Sequence, residues 1–298
     1  MAGVYVNDEG SWKLPKSVWV NQLGTWRVCK NVYVNSSGAW KELIKTVDIT
    51  SNQSNFNLHS YLGSPSQALS VIVNIPFNVT IGSDGPTLPK WCPYWCATTR
   101  KNLPKRPTAF TVGNFPSGST VIINNNGYIS GGGGYGGGGG NSFALGYNRN
   151  NQPNGETGGA GGDGIMKGSS NNFDCTIVNT GTIAGGGGGG GGGGSYFVPA
   201  TSPYQNGSSS QGGSGGDGAG VTGFSKTQGG QSSSNTETNP GYVYGTDGGQ
   251  GGALGEKGQV GQAPAPYRVS NGAGGQAGKA VSSGIELAVS GTIIGDIG

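Results

Sequence analysis

The sequence contains few charged and few apolar residues for its length. Of its 298 residues, 10% are charged and 32% are hydrophobic, and His59 is its only histidine. This supply of apolar side chains is small for a large hydrophobic core, and the low charge does not fit a charge-rich disordered tail. We therefore expect part of the stability to come from another source.

Residues that carry enzymatic chemistry are also scarce. Polysaccharide hydrolysis needs a pair of carboxylates, and covalent catalysis needs a nucleophile beside a base. The sequence has one histidine and no clustered acid motif. The segment GGYGGGGGN is not a phosphate-binding loop, because no Gly-Lys-Ser/Thr follows it. We predict that the protein is not an enzyme and binds no cofactor.

The four cysteines do not have the spacing of a metal site. Cys92 and Cys96 are one residue further apart than a Cys-x-x-Cys pair, and Cys29 and Cys175 stand alone. We expect reduced cysteines packed as small apolar side chains and no bound metal. A Cys92–Cys96 disulfide and a zinc site are the alternatives.

Basic residues are concentrated in the first part of the chain. Residues 1–110 contain eleven Lys and Arg against five acidic residues, and the remainder contains six against nine. A nucleic-acid surface needs clustered basic side chains together with aromatic platforms, whereas the basic cluster at 100–106 stands alone. We therefore predict no nucleic-acid partner. The sequence has no run of about 18 apolar residues and no signal-peptide pattern, which predicts synthesis in the cytoplasm without a leader.

The first 45 residues contain three copies of a 14-residue unit. VYVNDEGSWKLPKS, VWVNQLGTWRVCKN and VYVNSSGAWKELIK align without gaps. Two short β-forming runs flank a turn segment in each unit, a pattern typical of a β-hairpin. We predict an attachment segment over 1–45, in which Trp12, Trp26 and Trp40 pack in a core or against a partner. A carbohydrate platform is the alternative for these tryptophans.

Residues 46–118 have a more ordinary composition. Runs such as ALSVIVNIPFNVTIG are separated by Pro and Gly, which predicts a small β-domain. Residues 90–107 interrupt this domain with two tryptophans and most of the basic cluster. We interpret them as an exposed loop, which either contacts a partner or is simply solvated.

Glycine dominates from residue 119 onward. The chain has 65 glycines, including ten in succession at 185–194, and such composition usually indicates a flexible linker. Runs of similar length that recur favour rods instead. Polyproline-II-like rods have three residues per turn and no internal hydrogen bonds, so they can bond to one another where no side chain separates them. Without a strict Gly-X-Y period, collagen is excluded.

Three apolar segments punctuate the glycine runs, at 119–131, 174–185 and 285–295. Each consists of a β-run, a turn centred on Gly and a second short β-run. We therefore predict three hairpins that pair into a cap sheet at one end of the rods.

With the hairpins at one end, successive rods run in alternating directions along the chain. This alternation, which we call chain parity, places four longer loops at the other end. These loops are 141–156, 195–211, 231–247 and 261–271. Their Tyr, Ser, Asn and Gly content is that of loop-based recognition surfaces. The alternative for their aromatic residues is that they cover the end of the rods. The side chains that we predict to bind a receptor are Phe143, Tyr147, Arg149, Tyr196, Phe197, Tyr204, Tyr242, Tyr244, Tyr267 and Arg268.

The segments TIAGGGGGGGGGGSYF at 182–197 and GGQAGKAV at 274–281 resemble the tip adhesins of T-even-like bacteriophages. The resemblance covers residues 119–298 and implies a sandwich of polyglycine-II helices at the distal end of a long tail fibre. It also implies loops that bind an outer-membrane protein or lipopolysaccharide of the host. The 14-residue units are similar to repeats in assorted phage tail proteins.

The expected fold is therefore mainly β and irregular, in three parts: 1–45, 46–118 and 119–298. We expect a virion protein that is made in the host cytoplasm, attached by its N-terminal part to a tail-fibre or tail-tip protein, and present as one copy or a trimer. A structural tail component without receptor contact is the alternative function. Ice binding needs a flat, regular face of short side chains, which irregular aromatic loops do not provide.

Overall fold

The computed structural model describes residues 6–8, 11–13, 19–22, 24–28, 31–36, 39–83, 105–139, 141–142, 151–152, 154–169, 172–197, 210–211, 219–222, 225–227, 243–263 and 270–298. In these residues the structure consists of β-strands and irregular segments, with one short helix. The predicted mainly β class is confirmed.

The strands, numbered in chain order, are β1 (Val6–Asp8), β2 (Ser11–Lys13), β3 (Trp19–Gln22), β4 (Thr25–Val28), β5 (Asn31–Ser36), β6 (Ala39–Asp48), β7 (Gln53–Ser54), β8 (Phe56–Asn57), β9 (Ser70–Ile75), β10 (Thr80–Gly82), β11 (Phe110–Thr111), β12 (Thr120–Asn125), β13 (Tyr128–Ser130), β14 (Asn141–Ser142), β15 (Asn151–Gln152), β16 (Ile165–Met166), β17 (Asp174–Asn179), β18 (Thr182–Ala184), β19 (Ser195–Phe197), β20 (Ser210–Gln211), β21 (Gly220–Thr222), β22 (Ser225–Thr227), β23 (Val243–Gly245), β24 (Glu286–Val289) and β25 (Thr292–Ile294). The helix α1 (Leu58–Tyr61) follows β8, and its N-terminal amides are capped by the side chain of Asn57.

The three 14-residue units form antiparallel hairpins, as predicted: β1 with β2, β3 with β4, and β5 with β6. The Asn and the Trp of each unit are opposite one another, as Asn21 and Trp26 are in the second hairpin. In that hairpin the amide of Gly24, at φ +80°, donates to the Asn21 side chain at 2.9 Å. In the second unit, the spacing of Asn21 and Gly24 therefore serves the turn.

From β6 onward the chain winds into five stacked coils, which we call the coil stack. Sheet I runs in the order β5-β6-β9-β12-β17-β24, sheet II is β7-β10-β13-β18-β25, and sheet III is β8-β11-β16. Sheet III is continued by single parallel bridges from Ile165 to Val281 and from Val281 to Ile297. Strands of successive coils are parallel in all three sheets, so each coil contributes one strand or bridge to each sheet.

The interior of the coil stack consists of columns of identical or similar apolar residues. Ile81, Ile129 and Ile183 are in register in sheet II and are fully buried. Sheets I and III supply similar columns, for example Phe56 above Phe110. Each coil thus places its apolar side chains on those of its neighbours, and this removes them from water without the need for a thick globular core.

The predicted cap hairpins are wrong in their pairing. In each of the three apolar segments the two strands belong to different sheets: β12 pairs with β9 and β17, whereas β13 pairs with β10 and β18. The turn between them is a corner of a coil. Sheet I also passes through both predicted boundaries, at residues 45 and 118, because β6 pairs with β9 and β9 with β12.

The long glycine segments leave the coil stack at one corner, between sheet II and sheet III. They follow β13 in the third coil and β18 in the fourth, and the chain returns at β16 and at Val281. In the fourth coil, Cys175 is buried in the core, and this burial raises the pKa of its thiol to about 12. This agrees with a cysteine that packs as an apolar side chain. The other three cysteines lie outside the described residues.

Candidate functional site

Six extended segments of the glycine-rich region lie side by side and bond through their backbones. We call them rods, and together the glycine lattice: rod 1 (131–139), rod 2 (155–163), rod 3 (185–194), rod 4 (246–255), rod 5 (256–262) and rod 6 (271–280). Within the bonded rods, hydrogen bonds recur every third residue, for instance from the amides of Gly188 and Gly191 to the carbonyls of Glu256 and Gln259, both at 2.9 Å. A period of three is that of the polyproline-II conformation.

Rod 3 is surrounded by the others. It exchanges backbone hydrogen bonds with rods 1, 2, 4, 5 and 6 and with Ala219, whose carbonyl accepts from Gly187 at 2.6 Å. A Cβ atom at any position from 185 to 193 would come within 3.0 Å of a backbone atom of a neighbour. Along rod 3, the carbonyls that such Cβ atoms would meet belong in turn to rods 6, 1 and 4. For positions 188, 189 and 190 they are the carbonyls of Gly275, Tyr135 and Gly249. Glycine at the nine positions 185–193 is therefore a steric requirement of the central rod.

The outer rods need glycine only where they touch a neighbour. From rod 4 into rod 5, glycine recurs at every third residue from 249 to 261. Most of the positions between are occupied by residues with a side chain. This local period of three is a sequence signal that the search for a strict Gly-X-Y repeat missed. It marks which residues approach a neighbouring rod.

Tyr135 is the one large side chain within rod 1, and it is buried. The guanidinium of Arg106 lies over its ring, 3.8 Å from the centroid, and Nε of Arg106 donates to the carbonyl of Gly133 at 3.0 Å. Beside them, Lys105 and Asp163 form an ion pair at 2.6 Å, and Asp163 accepts a second bond from the amide of Lys279. Residues 105–106 thus fasten the coil stack to rods 1 and 2, and Asp163 links rod 2 to rod 6.

Hydrogen-bonded strands join the ends of three loops at the opposite end of the lattice, which we call the far end. β14, which follows rod 1, pairs antiparallel with β15 and with β20. β19, which follows rod 3, pairs antiparallel with β23, which precedes rod 4. The two small sheets are in contact through β14, β19 and β20. The bases of the predicted loops 141–156, 195–211 and 231–247 are therefore adjacent, as the parity argument predicts.

The base of the fourth loop, 261–271, is tied into the same end by polar contacts. The Thr246 hydroxyl is within hydrogen-bond distance of the Gln262 carbonyl, and the amide of Gln262 donates to the carbonyl of Asp247 at 2.9 Å. The Asn154 side chain accepts from the amide of Ser270 at 2.9 Å. These residues are not among those predicted from the sequence. Their signal is an Asn, Thr or Ser placed where a rod passes into a loop.

The described residues include only part of the predicted recognition set. Tyr196 and Phe197 lie in β19 and Tyr244 lies in β23, with the Cα atoms of Tyr196 and Tyr244 opposite each other. The others lie outside the described residues, in loops whose bases are described: Phe143, Tyr147, Arg149, Tyr204, Tyr242, Tyr267 and Arg268. Of the attachment set, Trp12 and Trp40 lie in β2 and β6, and Trp26 is 64% exposed, so its side chain does not enter a core of this chain.

The match to a family model decides the class of protein. The model described as "Phage tail fibre adhesin Gp38" matches residues 44–298. The chain belongs to this family. The matched region comprises the coil stack and the glycine lattice, whereas the first two hairpins precede it. The adhesin is accordingly a tail-fibre component of a phage virion, and its family has a structural or binding role.

Among solved structures, the adhesin is similar to a chain in the crystal structure of the gp37-gp38 adhesin tip complex of the bacteriophage S16 long tail fibre. The two are 21% identical, the match covers 86% of this chain and 83% of the other, and the TM-score is 0.45. No curated protein sequence matches the adhesin.

The described residues of the adhesin contain no group of three or more His, Cys, Asp or Glu side chains arranged to hold a metal ion. In the same part of the chain, no helix has the length and apolarity needed to cross a membrane.

Proposed function

We propose that the adhesin binds a receptor on the host cell surface through the four loops at the far end of the glycine lattice. The observation that carries this proposal is the convergence of the loop bases. β14, β15, β19, β20 and β23 bring three loops together, and the contacts of Gln262 and Ser270 add the fourth. Segments far apart in sequence thus have their bases together at one end of the lattice.

A lattice of backbone hydrogen bonds is a suitable support for such loops. A receptor-binding surface loses less conformational entropy on binding when its loops are held in place beforehand. The loop ends are fixed to rods, and the rods are fixed to the coil stack by Lys105, Arg106 and Asp163. The loops themselves are rich in Tyr, Ser, Asn and Gly, which combine large contact areas with adaptable hydrogen bonds.

In this proposal the N-terminal hairpins attach the adhesin to the tail fibre or tail tip. Trp26 is exposed on the second hairpin, and an exposed tryptophan is a common anchor in protein interfaces. The host partner is an outer-membrane protein or lipopolysaccharide. The coil stack then lies between an attachment segment and a receptor-binding lattice.

The test is adsorption of phage that carry Tyr196→Ala together with Phe197→Ala. We expect virions that assemble and contain the adhesin, as measured by mass spectrometry of purified particles, but adsorb to susceptible cells at least about tenfold more slowly. Tyr61→Ala is the matched control, because Tyr61 is 63% exposed on the coil stack and should leave adsorption unchanged. Normal adsorption by the double variant would show that this loop is not part of the receptor surface.

A binding assay with purified protein should use the full chain. A fragment that begins at residue 119 would lose β6 and β9 and would expose the side chains of Val121 and Ile123 at the cut end of the stack. Saturable binding of the full chain to susceptible cells, lost with receptor-deficient cells, would support the adhesin role. Equal binding to both would favour a structural tail component.

A further inference from the structure

A groove with no assigned role runs along the corner where sheet I passes into sheet II. Its volume is about 420 Å³, which lies within the range of about 300 to 1,000 Å³ for pockets that hold small ligands. The first three coils form its wall, and most of the side chains that line it are uncharged. The lining residues include Asp48, Thr50, Asn74, Pro76, Asn124 and Asn126.

Three of these side chains form an ordered row across the coils. Asp48, Asn74 and Asn124 occupy the same register position on β6, β9 and β12. Nδ2 of Asn124 donates to Oδ1 of Asn74 at 2.9 Å, and Nδ2 of Asn74 donates to Oδ1 of Asp48 at 2.8 Å. Neighbouring strands lie about 4.8 Å apart, so the three groups span about 10 Å.

The two asparagines of the row retain hydrogen-bonding capacity after these bonds are made. An asparagine amide has two N–H donors and an oxygen that accepts two bonds, and the row uses one donor of each asparagine. Since each side chain is held by its neighbour, the remaining donors and acceptors are fixed at regular spacing along the groove. A ligand with several closely spaced hydroxyl groups matches such a row, because every hydroxyl both donates and accepts.

The coil fold itself does not require this polar row. The position occupied by Asn124 in the third coil is occupied by Val178 in the fourth and by Ala288 in the fifth, within the same sheet and register. An apolar residue is therefore compatible with the stack at this position. The row is confined to the three coils that form the groove, which argues for a role in binding rather than in folding.

An aromatic residue directly follows one of the groove residues in the chain. Phe77 follows Pro76 in the turn between β9 and β10 and is 85% exposed. This turn is closed by a bond from the amide of Val79 to the carbonyl of Pro76 at 3.0 Å, and the chain of the next coil packs against it at Gly127. The turn thus keeps a large apolar ring exposed to water, which is unfavourable. Contact with an apolar ligand surface would remove the ring from water and would therefore be favourable.

We infer that the groove is a saccharide-binding site for an uncharged part of a host surface polysaccharide. The row of amides and the Asp48 carboxylate would bind vicinal hydroxyls, and Pro76 with Phe77 would contact the C–H face of a sugar ring. Among the described residues that line the groove, Asp48 is the one charged side chain, and its negative charge disfavours phosphorylated sugars and uronic acids. The site lies on the coil stack and is separate from the far-end loops.

The test is calorimetric titration of the full chain with two polysaccharides from a susceptible strain. One is the O-antigen polysaccharide released from lipopolysaccharide, and the other is the capsular polysaccharide, so that the two arms identify the source. We expect one of them to bind. We also expect Phe77→Ala and Asn124→Val each to weaken binding at least about fivefold, equivalent to about 1 kcal/mol.

The variants separate a loss of binding from a loss of folding. Asn124→Val introduces the residue that the fourth coil already has at this position, and Phe77 is exposed, so melting temperatures should remain close to that of the unchanged protein. Tyr61→Ala, on another corner of the stack, should bind as the unchanged protein does. Lack of binding to both polysaccharides, or binding that neither groove variant weakens, would overturn the inference.

Discussion

The coil stack and the glycine lattice are both made of extended segments that lie side by side, yet they are stabilised in different ways. In the stack, strands alternate between buried apolar and outward side chains, and columns such as Ile81, Ile129 and Ile183 hold the coils together. In the lattice, rod 3 has no side chains, and its backbone bonds to neighbours on all sides. The first region depends on side-chain volume and the second on the absence of side chains.

Removal of apolar volume from the stack should have the largest effect. We expect Ile129→Ala to lower the free energy of unfolding by about 2 to 5 kcal/mol, because it leaves a cavity in a fully buried column. Ile129→Val, the matched control, should cost about 0.5 to 1.5 kcal/mol. Thermal and denaturant unfolding measure both. A loss from Ile129→Ala no larger than that of the control would contradict the description of the stack as a continuous core.

Addition of volume to the lattice is the converse experiment. Gly189→Ala should destabilise the lattice by about 1 to 3 kcal/mol or more, because the new Cβ would meet the carbonyl of Tyr135. Ala273→Ser in rod 6 also adds one heavy atom, but at an exposed position that already has a Cβ, and it should have little effect. Hydrogen exchange should increase in the rods for Gly189→Ala and remain unchanged in the stack. Equal exchange in both variants would contradict close packing of rod 3.

The smallest of the three effects should come from the junction between the two regions. Arg106→Ala removes the guanidinium from the Tyr135 ring and its bond to Gly133, and we expect it to cost about 1 kcal/mol. Arg106→Lys retains the charge but not the planar group, so it should recover part of the loss. Faster hydrogen exchange confined to rods 1 and 2 is the expected result. If exchange instead rises throughout the stack, Arg106 supports the coils and not the junction.

The lattice could be predicted from the sequence because glycine runs of similar length recur, whereas a flexible linker needs no such recurrence. Chain parity also placed the bases of the four loops at one end, since a rod that leaves the stack must return to it. The individual recognition residues depend on loop conformations that no repeating pattern specifies. Predictions for side chains such as Tyr147 and Arg268 therefore rest on composition alone.

The coil stack was not predictable in the same way. A β-run, a turn and a second β-run have the same local pattern in a hairpin and at the corner of a coil. What distinguishes them is the partner strand, and the partners of Ile129 are Ile81 and Ile183, each about 50 residues away. The glycine segments inserted between β13 and β16, and between β18 and Val281, conceal the coil repeat in the sequence.

The direction of the rods has a mechanical consequence if, as we propose, the adhesin is held at one end by a virion and at the other by a cell. A pull on the far-end loops acts along the rods, whereas their mutual hydrogen bonds lie across them. Such a force loads many bonds in shear at the same moment, and none can be opened singly from the end. Resistance to tension therefore grows with rod length, so the ten-residue run of rod 3 also sets how firmly a captured cell is held.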